Sequence, residues 1–352
     1  MNMKYFIKTF GCQQNESDSE HIAVLLEDKG YKKVKKLEEA DLIVVNACSV
    51  RQTAIDRIFG LNKKFKSLKA KKILTGCVLK SDKSKFEEFF DDIVDIRKFL
   101  GRNYLSGKSK CLFSDSAFVP IMTGCDNFCS YCVVPYTRGR EISRPVKEII
   151  EEAKNLIKNG CKEIILLGQN VNSYQDGKIN FPKLLKLINQ IPGDFIIKFL
   201  TSHPKDFSDE LIDVIAICKK VAKEIHLPIQ SGDNDILKKM NRNYTVEHYK
   251  NLIQKIREKI PSAQVSTDVI VGFPGETEKQ FENTIKLFKK IKFDKAYINK
   301  YSSRVGTPAY KLQDDISLRE KKRRWSILNE IVKKKAQANF YRIGFRTINL
   351  II

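Results

Sequence analysis

Short apolar runs separated by helix-length amphipathic segments recur along most of the chain, and this rhythm restricts the fold more than any other feature. Parallel strands cannot be joined by tight turns; they need crossovers of a dozen or more residues, usually helical. Strands are predicted at residues 5–9, 42–45 and 72–74, with helices over 17–29, closed by Gly30, and over 53–66. Residues 1–101 therefore read as an open parallel-sheet α/β domain. Six further strand-like runs follow at 118–122, 163–167, 195–201, 224–229, 263–271 and 295–301. Between the first two lies a helix-like segment, Val146–Lys158, with Pro145 at its start and Gly160 past its end, the asymmetry of a true helix. Six β/α repeats predict a partial (β/α)6 barrel over 118–312. The intervening 102–117 holds Gly, Ser, Asn and Lys without clear periodicity, as a linker or edge hairpin would. Residues 313–342 read as a basic helix, with ten Lys or Arg against two Glu between 317 and 346, and 343–352 as a strand-like piece.

At 352 residues the chain can bury a large core without covalent staples. No stretch approaches ~20 uninterrupted apolar residues, so no membrane span is predicted. The first ten residues carry Lys4 and Lys8 and lack a signal-length apolar core, which points to a cytoplasmic protein. Nine cysteines is an odd number without an export signal, and it argues for reduced thiols or metal ligation over a disulfide framework. The 64 Lys and Arg exceed the 42 Asp and Glu by 22, as a polyanionic partner would favour. A lysine-rich solvated surface would give the same excess.

The densest chemical signal is GCDNFCSYC, which spaces Cys125, Cys129 and Cys132 as C-x3-C-x2-C directly after the first barrel strand. Two metal readings fit three thiolates: a zinc site short of one ligand, or an iron–sulfur cubane with one iron left open. A second set is dispersed. Cys12, Cys48 and Cys77 each follow a predicted strand by two or three residues, and parallel strand ends lie on one sheet edge, where loops build ligand sites. Convergence and three separately buried thiols are both compatible with that placement. Cys111, Cys161 and Cys218 show no such pattern and are expected to be structural. The barrel strands end in polar residues, Gln169 and Asn170, Ser202 and His203, Gln230 and Ser231, Asp268, and Asn299 and Lys300, which predicts a polar mouth. Gln169, Ser202, Gln230 and Asp268 are candidates for cofactor or substrate contact, and Arg138, Arg140 and Arg144 for a phosphate or carboxylate. FPGE, Phe273–Glu276, lacks the spacing and lysine of a phosphate loop and predicts a tight turn.

The cysteine motif, with Tyr131 just before its third cysteine, resembles that of radical S-adenosylmethionine (SAM) enzymes. FGCQQNESDSE, GCDNFCSYCVVPYTRGREISRP, HLPIQSGDNDILKKMNR, STDVIVGFPGETE and KYSSRVGTPA together resemble the methylthiotransferase family, its tRNA branch most, over residues 4–338. The resemblance implies two 4Fe-4S clusters. One would sit on Cys125, Cys129 and Cys132, its open iron binding SAM near Tyr131; the other, auxiliary, on Cys12, Cys48 and Cys77. It also implies an enzyme that adds a methylthio group to carbon 2 of isopentenyl-adenosine beside the anticodon. A radical replaces any general acid or base, because that C–H bond offers no acidic proton.

The implied partners are tRNA, an electron donor and a sulfur source, with no membrane, and a monomer is expected. Sister activities, on threonylcarbamoyl-adenosine of tRNA or on a ribosomal-protein aspartate, share the chemistry; the PYTRG and EISRP segments favour isopentenyl-adenosine. A non-catalytic, metal-containing RNA-binding protein is the alternative of another class. Gln14, Asn299 and Val305 depart from residues commoner in the family. The family usually continues into a small β-barrel (TRAM) domain, here expected to be largely absent, with 343–352 as its remnant. Weaker tRNA affinity would follow, partly offset by the basic helix.

Overall fold

A computed structural model describes residues 3–49, 52–101, 104 and 115–342. Five strands, β1 (Lys4–Thr9), β2 (Lys32–Lys33), β3 (Leu42–Cys48), β4 (Lys71–Cys77) and β5 (Asp92–Ile93), form one parallel sheet in the order β2-β1-β3-β4-β5. β3 is buried along its whole length, which is why it reads as a continuous apolar run. Alternate side chains feed two cores. Ile43, Val45 and Ala47 pack with Ile55, Phe65 and Phe86 on one face, and Leu42 and Val44 with Ile22 and Leu26 on the other. Each buried Ile, Val, Leu or Phe contributes roughly 1.5–3 kcal/mol.

The second sheet system holds β6 (Ser116–Pro120), β9 (Glu163–Leu167), β12 (Ile196–Phe199), β13 (Glu224–His226), β14 (Gln264–Val271) and β15 (Lys295–Lys300). Two short antiparallel pairs, β7 (Met122–Thr123) with β8 (Ile142–Ser143) and β10 (Gln175–Asp176) with β11 (Ile179–Asn180), lie in its loops. The six parallel strands form two triplets, β12-β9-β6 and β13-β14-β15, joined where Ile197 bridges Val221. The result is a six-stranded partial barrel, as the six β/α repeats predict. Outward apolar positions such as Ile164, Leu166, Val265 and Val269 share one large core with the surrounding helices. The helix Leu318–Arg342 lies along β15, where Trp325 Nε1 donates to the Ile298 carbonyl at 2.9 Å. No described helix is long and apolar enough to cross a membrane.

Several boundaries differ from the sequence expectation. The first helix, α1, spans Gln13–Asp28 and so begins four residues before the predicted start. The predicted 53–66 helix is two, Gln52–Phe59 and Asn62–Lys66, interrupted around Gly60. β3 and β4 run on through their cysteines instead of stopping before them. Cys218 is a buried free thiol, whereas Cys161, also buried, is disulfide-bonded, contrary to the expectation of reduced thiols. Cys111, most of 102–114 and the strand-like 343–352 lie outside the described residues.

Candidate active site

The strand order reverses between β1 and β3, and the carboxyl ends at such a point form a crevice. Cys48 and Cys77 are the last residues of β3 and β4 and stand opposite one another in register; Cys12 caps the start of α1, three residues past β1. Gly76 permits the close approach. Its φ is +100°, and a Cβ there would lie 2.4 Å from both the Ala47 carbonyl and Asn46 Oδ1. Two fully buried asparagines clasp the loops together. Asn15 Nδ2 donates to Asn46 Oδ1 (3.0 Å) and the Ala47 carbonyl (3.1 Å), while Asn46 Nδ2 donates to the Asn15 carbonyl (2.7 Å) and Ser19 Oγ (2.9 Å). The early start of α1 follows from this arrangement. Gln14, Asn15, Ser17 and Asp18 are buried although polar, so its first turns carry no apolar stripe.

Cys125, Cys129 and Cys132 lie on a single loop between β7 and the short helix Val134–Arg138. The turn at 239–242 pins that loop. Ser130 N donates to the Met240 carbonyl (2.9 Å), Ser130 Oγ to that of Lys239 (2.8 Å), and Asn241 Nδ2 to those of Asn127 (3.1 Å) and Phe128 (2.9 Å). Arg242 is buried and donates to Cys129 Sγ at 3.4 Å and to the Pro228 carbonyl at 3.0 Å. Phe128, Asn241, Thr201 and Gln230 are four of the five described non-glycine residues at positive φ. Left-handed backbone of this kind costs on the order of 1–3 kcal/mol per residue and persists where its surroundings hold it, as around a functional site.

Both cysteine trios line one cavity of about 340 Å³ between the two sheets. Desolvation by surrounding protein pushes the thiols of Cys12, Cys125 and Cys132 up, although Cys12 keeps contact with solvent; Cys132 rises to about 12, and neighbouring thiols add to the effect. Cys77 goes the other way, because its hydrogen bond with Cys48 outweighs burial and the Arg138 charge helps. Crowded thiols of this kind ionise together when a cation supplies positive charge among them, so the donor chemistry suits iron–sulfur ligation. On the cavity wall Gln169 Oε1, Ser202 Oγ and His203 Nε2 are buried with no protein partner. A ligand or water that completes them recovers about 1–3 kcal/mol each. His203 Nδ1 accepts from Lys205 N at 3.2 Å, which leaves the proton on Nε2; burial, then the Arg242 and Lys205 charges, push its pKa down to about 2. It is a neutral donor facing the cavity.

Residues 119–288 match the radical SAM superfamily, and residues 4–96 match the uncharacterized protein family UPF0004. The tRNA-2-methylthio-N(6)-dimethylallyladenosine synthase of Clostridium novyi (strain NT) is 44% identical over 95% of this chain and 83% of its own. Its namesake from Clostridium tetani (strain Massachusetts / E88) is 40% identical over 99% and 85%. The chain belongs to the methylthiotransferase family of radical SAM enzymes. In fold, this methylthiotransferase is similar to the radical SAM methyltransferase TsrM from Kitasatospora setae, solved with cobalamin and a 4Fe-4S cluster bound. The TM-score is 0.61 over 88% of this chain and 77% of that one, at 13% identity. A radical SAM methylthiotransferase uses SAM and 4Fe-4S chemistry, and three thiols on one pinned loop beside unpartnered polar atoms fit both groups.

The structure gathers most of the sequence-predicted residues of the methylthiotransferase at this cavity: the six cysteines, Tyr131, Gln169, Ser202, Gln230 and Asp268. Asp268 is partnered, its Oδ2 lying 3.1 Å from His226 Nε2. The three arginines separate. Arg138 reaches the cavity with its donors taken up by protein groups, and Arg144 is buried against Glu148, Glu152 and the Pro120 carbonyl. Arg140 is exposed, paired with Asp126 at 2.7 Å and stacked over Phe128. Gln14, one of the departures from the family, lines the cavity and accepts from Gln169 Nε2 at 3.5 Å. Asn15, Asn46 and Arg242 were not singled out by sequence reasoning, and His203 only as one of the polar strand ends. Asn15 and Arg242 lie within the quoted FGCQQNESDSE and HLPIQSGDNDILKKMNR segments, and the run of polar residues after Cys12 was a further signal for Asn15.

Proposed function

We propose that this protein adds a methylthio group to carbon 2 of N6-isopentenyl-adenosine in tRNA, using two 4Fe-4S clusters. The observation that carries the reading is two cysteine trios, delivered by different sheets, facing one cavity. Cys125, Cys129 and Cys132 would hold the cluster that works with SAM, and Cys12, Cys48 and Cys77 the auxiliary one. When bound, these groups supply a radical able to take hydrogen from an unactivated C–H bond, and the sulfur that replaces it. The chain's own side chains position and shield. Asn241 and Arg242 set the shape of the first cysteine loop, and Asn15 and Asn46 that of the second. The Gln14–Gln169 contact closes the cavity between the sheets, and Gln169, Ser202 and His203 offer unmet hydrogen bonds to a polar ligand. Tyr131, Gln230 and Asp268 complete the wall toward cofactor and substrate.

An RNA partner is supported by the excess of 22 positive charges and by the printed names of relatives 40–44% identical. Exposed Arg140, beside Phe128 and half-exposed Tyr136, is placed to meet a phosphate or an unstacked base next to the cysteine loop. Such a reaction belongs in the cytoplasm, with an electron donor and a sulfur source as further partners. Nucleoside digests of tRNA from cells with and without the gene test the reading: the 2-methylthio-isopentenyl-adenosine peak should vanish on deletion. An unchanged peak would remove the assignment, and loss of the threonylcarbamoyl counterpart instead would move it to the sister activity.

A further inference from the structure

Arg138 closes the short helix that starts two residues after Cys132, so its backbone belongs to the barrel's cysteine loop. Its side chain points out of the barrel and into the other sheet. Nε donates to Cys77 Sγ at 3.0 Å, Nη2 to Asp18 Oδ2 at 2.7 Å and Nη1 to Tyr104 Oη at 3.0 Å, and the side chain is 2% exposed. Tyr104 Oη in turn lies 2.9 Å from Thr123 Oγ1, two residues before Cys125. Arg97 Nη1 donates to the Arg138 carbonyl at 3.4 Å. A guanidinium is rigid and planar, so three partners at fixed corners fix its orientation, and a lysine could not reproduce it. This cation is therefore committed to the sulfur of one trio while its backbone is part of the other trio's segment.

We propose that Arg138 is the positioning residue of the auxiliary cluster, setting both the placement of its Cys77 ligand and its reduction potential. A hydrogen bond and a positive charge at a ligand sulfur stabilise the form of a cluster that has gained an electron, so Arg138 raises the potential. Asp18 has a separate part. It balances the buried guanidinium and holds its plane so that Nε, the donor nearest the chain, faces Cys77. Because the same helix descends from Cys132, a shift of either cysteine loop is transmitted to the other through one side chain. The inference rests on the two-cluster reading above.

The full-length chain carrying Cys125→Ala, Cys129→Ala and Cys132→Ala isolates the auxiliary cluster for redox titration followed by electron paramagnetic resonance. Two further variants in that background separate geometry from charge. Arg138→Lys keeps the charge and loses the directed Nε–H, and Arg138→Gln with Asp18→Asn removes the buried ion pair symmetrically, so that neither partner is stranded. About four irons per chain should remain in all three proteins. At a fixed applied potential the reduced-to-oxidised ratio should fall at least tenfold in both variants, equivalent to about 59 mV for one electron. An unchanged ratio in both variants overturns the proposal. Loss of iron from both variants overturns the redox role, since Arg138 would then act only by placing Cys77 for assembly. Iron-free material from the background protein itself would be a different failure, that of the two-cluster reading.

Discussion

The two cysteine trios meet at one cavity but are held by opposite strategies. Cys125, Cys129 and Cys132 share one loop within eight residues, pinned by a turn a hundred residues away. Cys12, Cys48 and Cys77 come from three separate strand–loop junctions and depend on buried asparagines, a glycine at positive φ and an arginine from the other sheet. A local site is less sensitive to changes elsewhere, because its ligands share one segment and few distant contacts set their spacing. An assembled site is set by every contact that aligns its strands, and its ligands sit among buried polar groups that unfolding would rehydrate.

Cysteine replacement gives the largest test of that contrast. Cys129→Ala should reduce 5′-deoxyadenosine formation to background while iron remains on the other trio. Cys48→Ala should leave 5′-deoxyadenosine formation in place and abolish methylthio product; chromatography of both products with an iron assay reads each outcome. If both replacements stop SAM cleavage, the trios are not separable in function.

Next in size is the asparagine clasp. Asn46→Ala removes one of the two acceptors of the Asn15 side-chain amide and the donors to the Asn15 carbonyl and Ser19 Oγ, and should lower stability by about 1–3 kcal/mol. Chemical denaturation followed by circular dichroism checks this, and the loss of iron it causes should be confined to the auxiliary trio.

A smaller effect depends on pH. Burial, with Glu16 and Glu152 adding to it, raises Glu20 on α1 from the ordinary 4.5 to about 8. A carboxyl raised in the folded state contributes fully below its unfolded pKa and loses that contribution as pH climbs through the folded one. Glu20→Gln should therefore match the parent near pH 4.5 and become progressively more stable than it up to about pH 8, as thermal unfolding across that range would record. Parallel curves would mean that the carboxyl is ionised in the fold. Smallest of all, Arg140→Gln removes an exposed ion pair and the arginine's stack on Phe128, both on the barrel's own loop, and should change stability by no more than about 0.5–1 kcal/mol, with iron content unaltered.

Much of this architecture is legible in the chain itself. Periodicity located all six barrel strands and the Val146–Lys158 helix, because the information lies within a few residues and burial rewards the same positions that local preference does. The C-x3-C-x2-C loop is likewise a local object. The polar first turn of α1 misled the boundary, since Asn15, Ser17 and Asp18 are buried by a site that lies in other segments. Nor could spacing reveal that Arg138, 120 positions from Asp18, turns away from solvent to reach Cys77, or that Arg144 is consumed by Glu148 and Glu152. Residue order by itself determined the strands, the helices and one set of thiols. Which polar groups face one another was decided only when two sheets closed on a shared cavity, because hydrogen bonds and charges act across space at about 3 Å and are blind to distance along the chain.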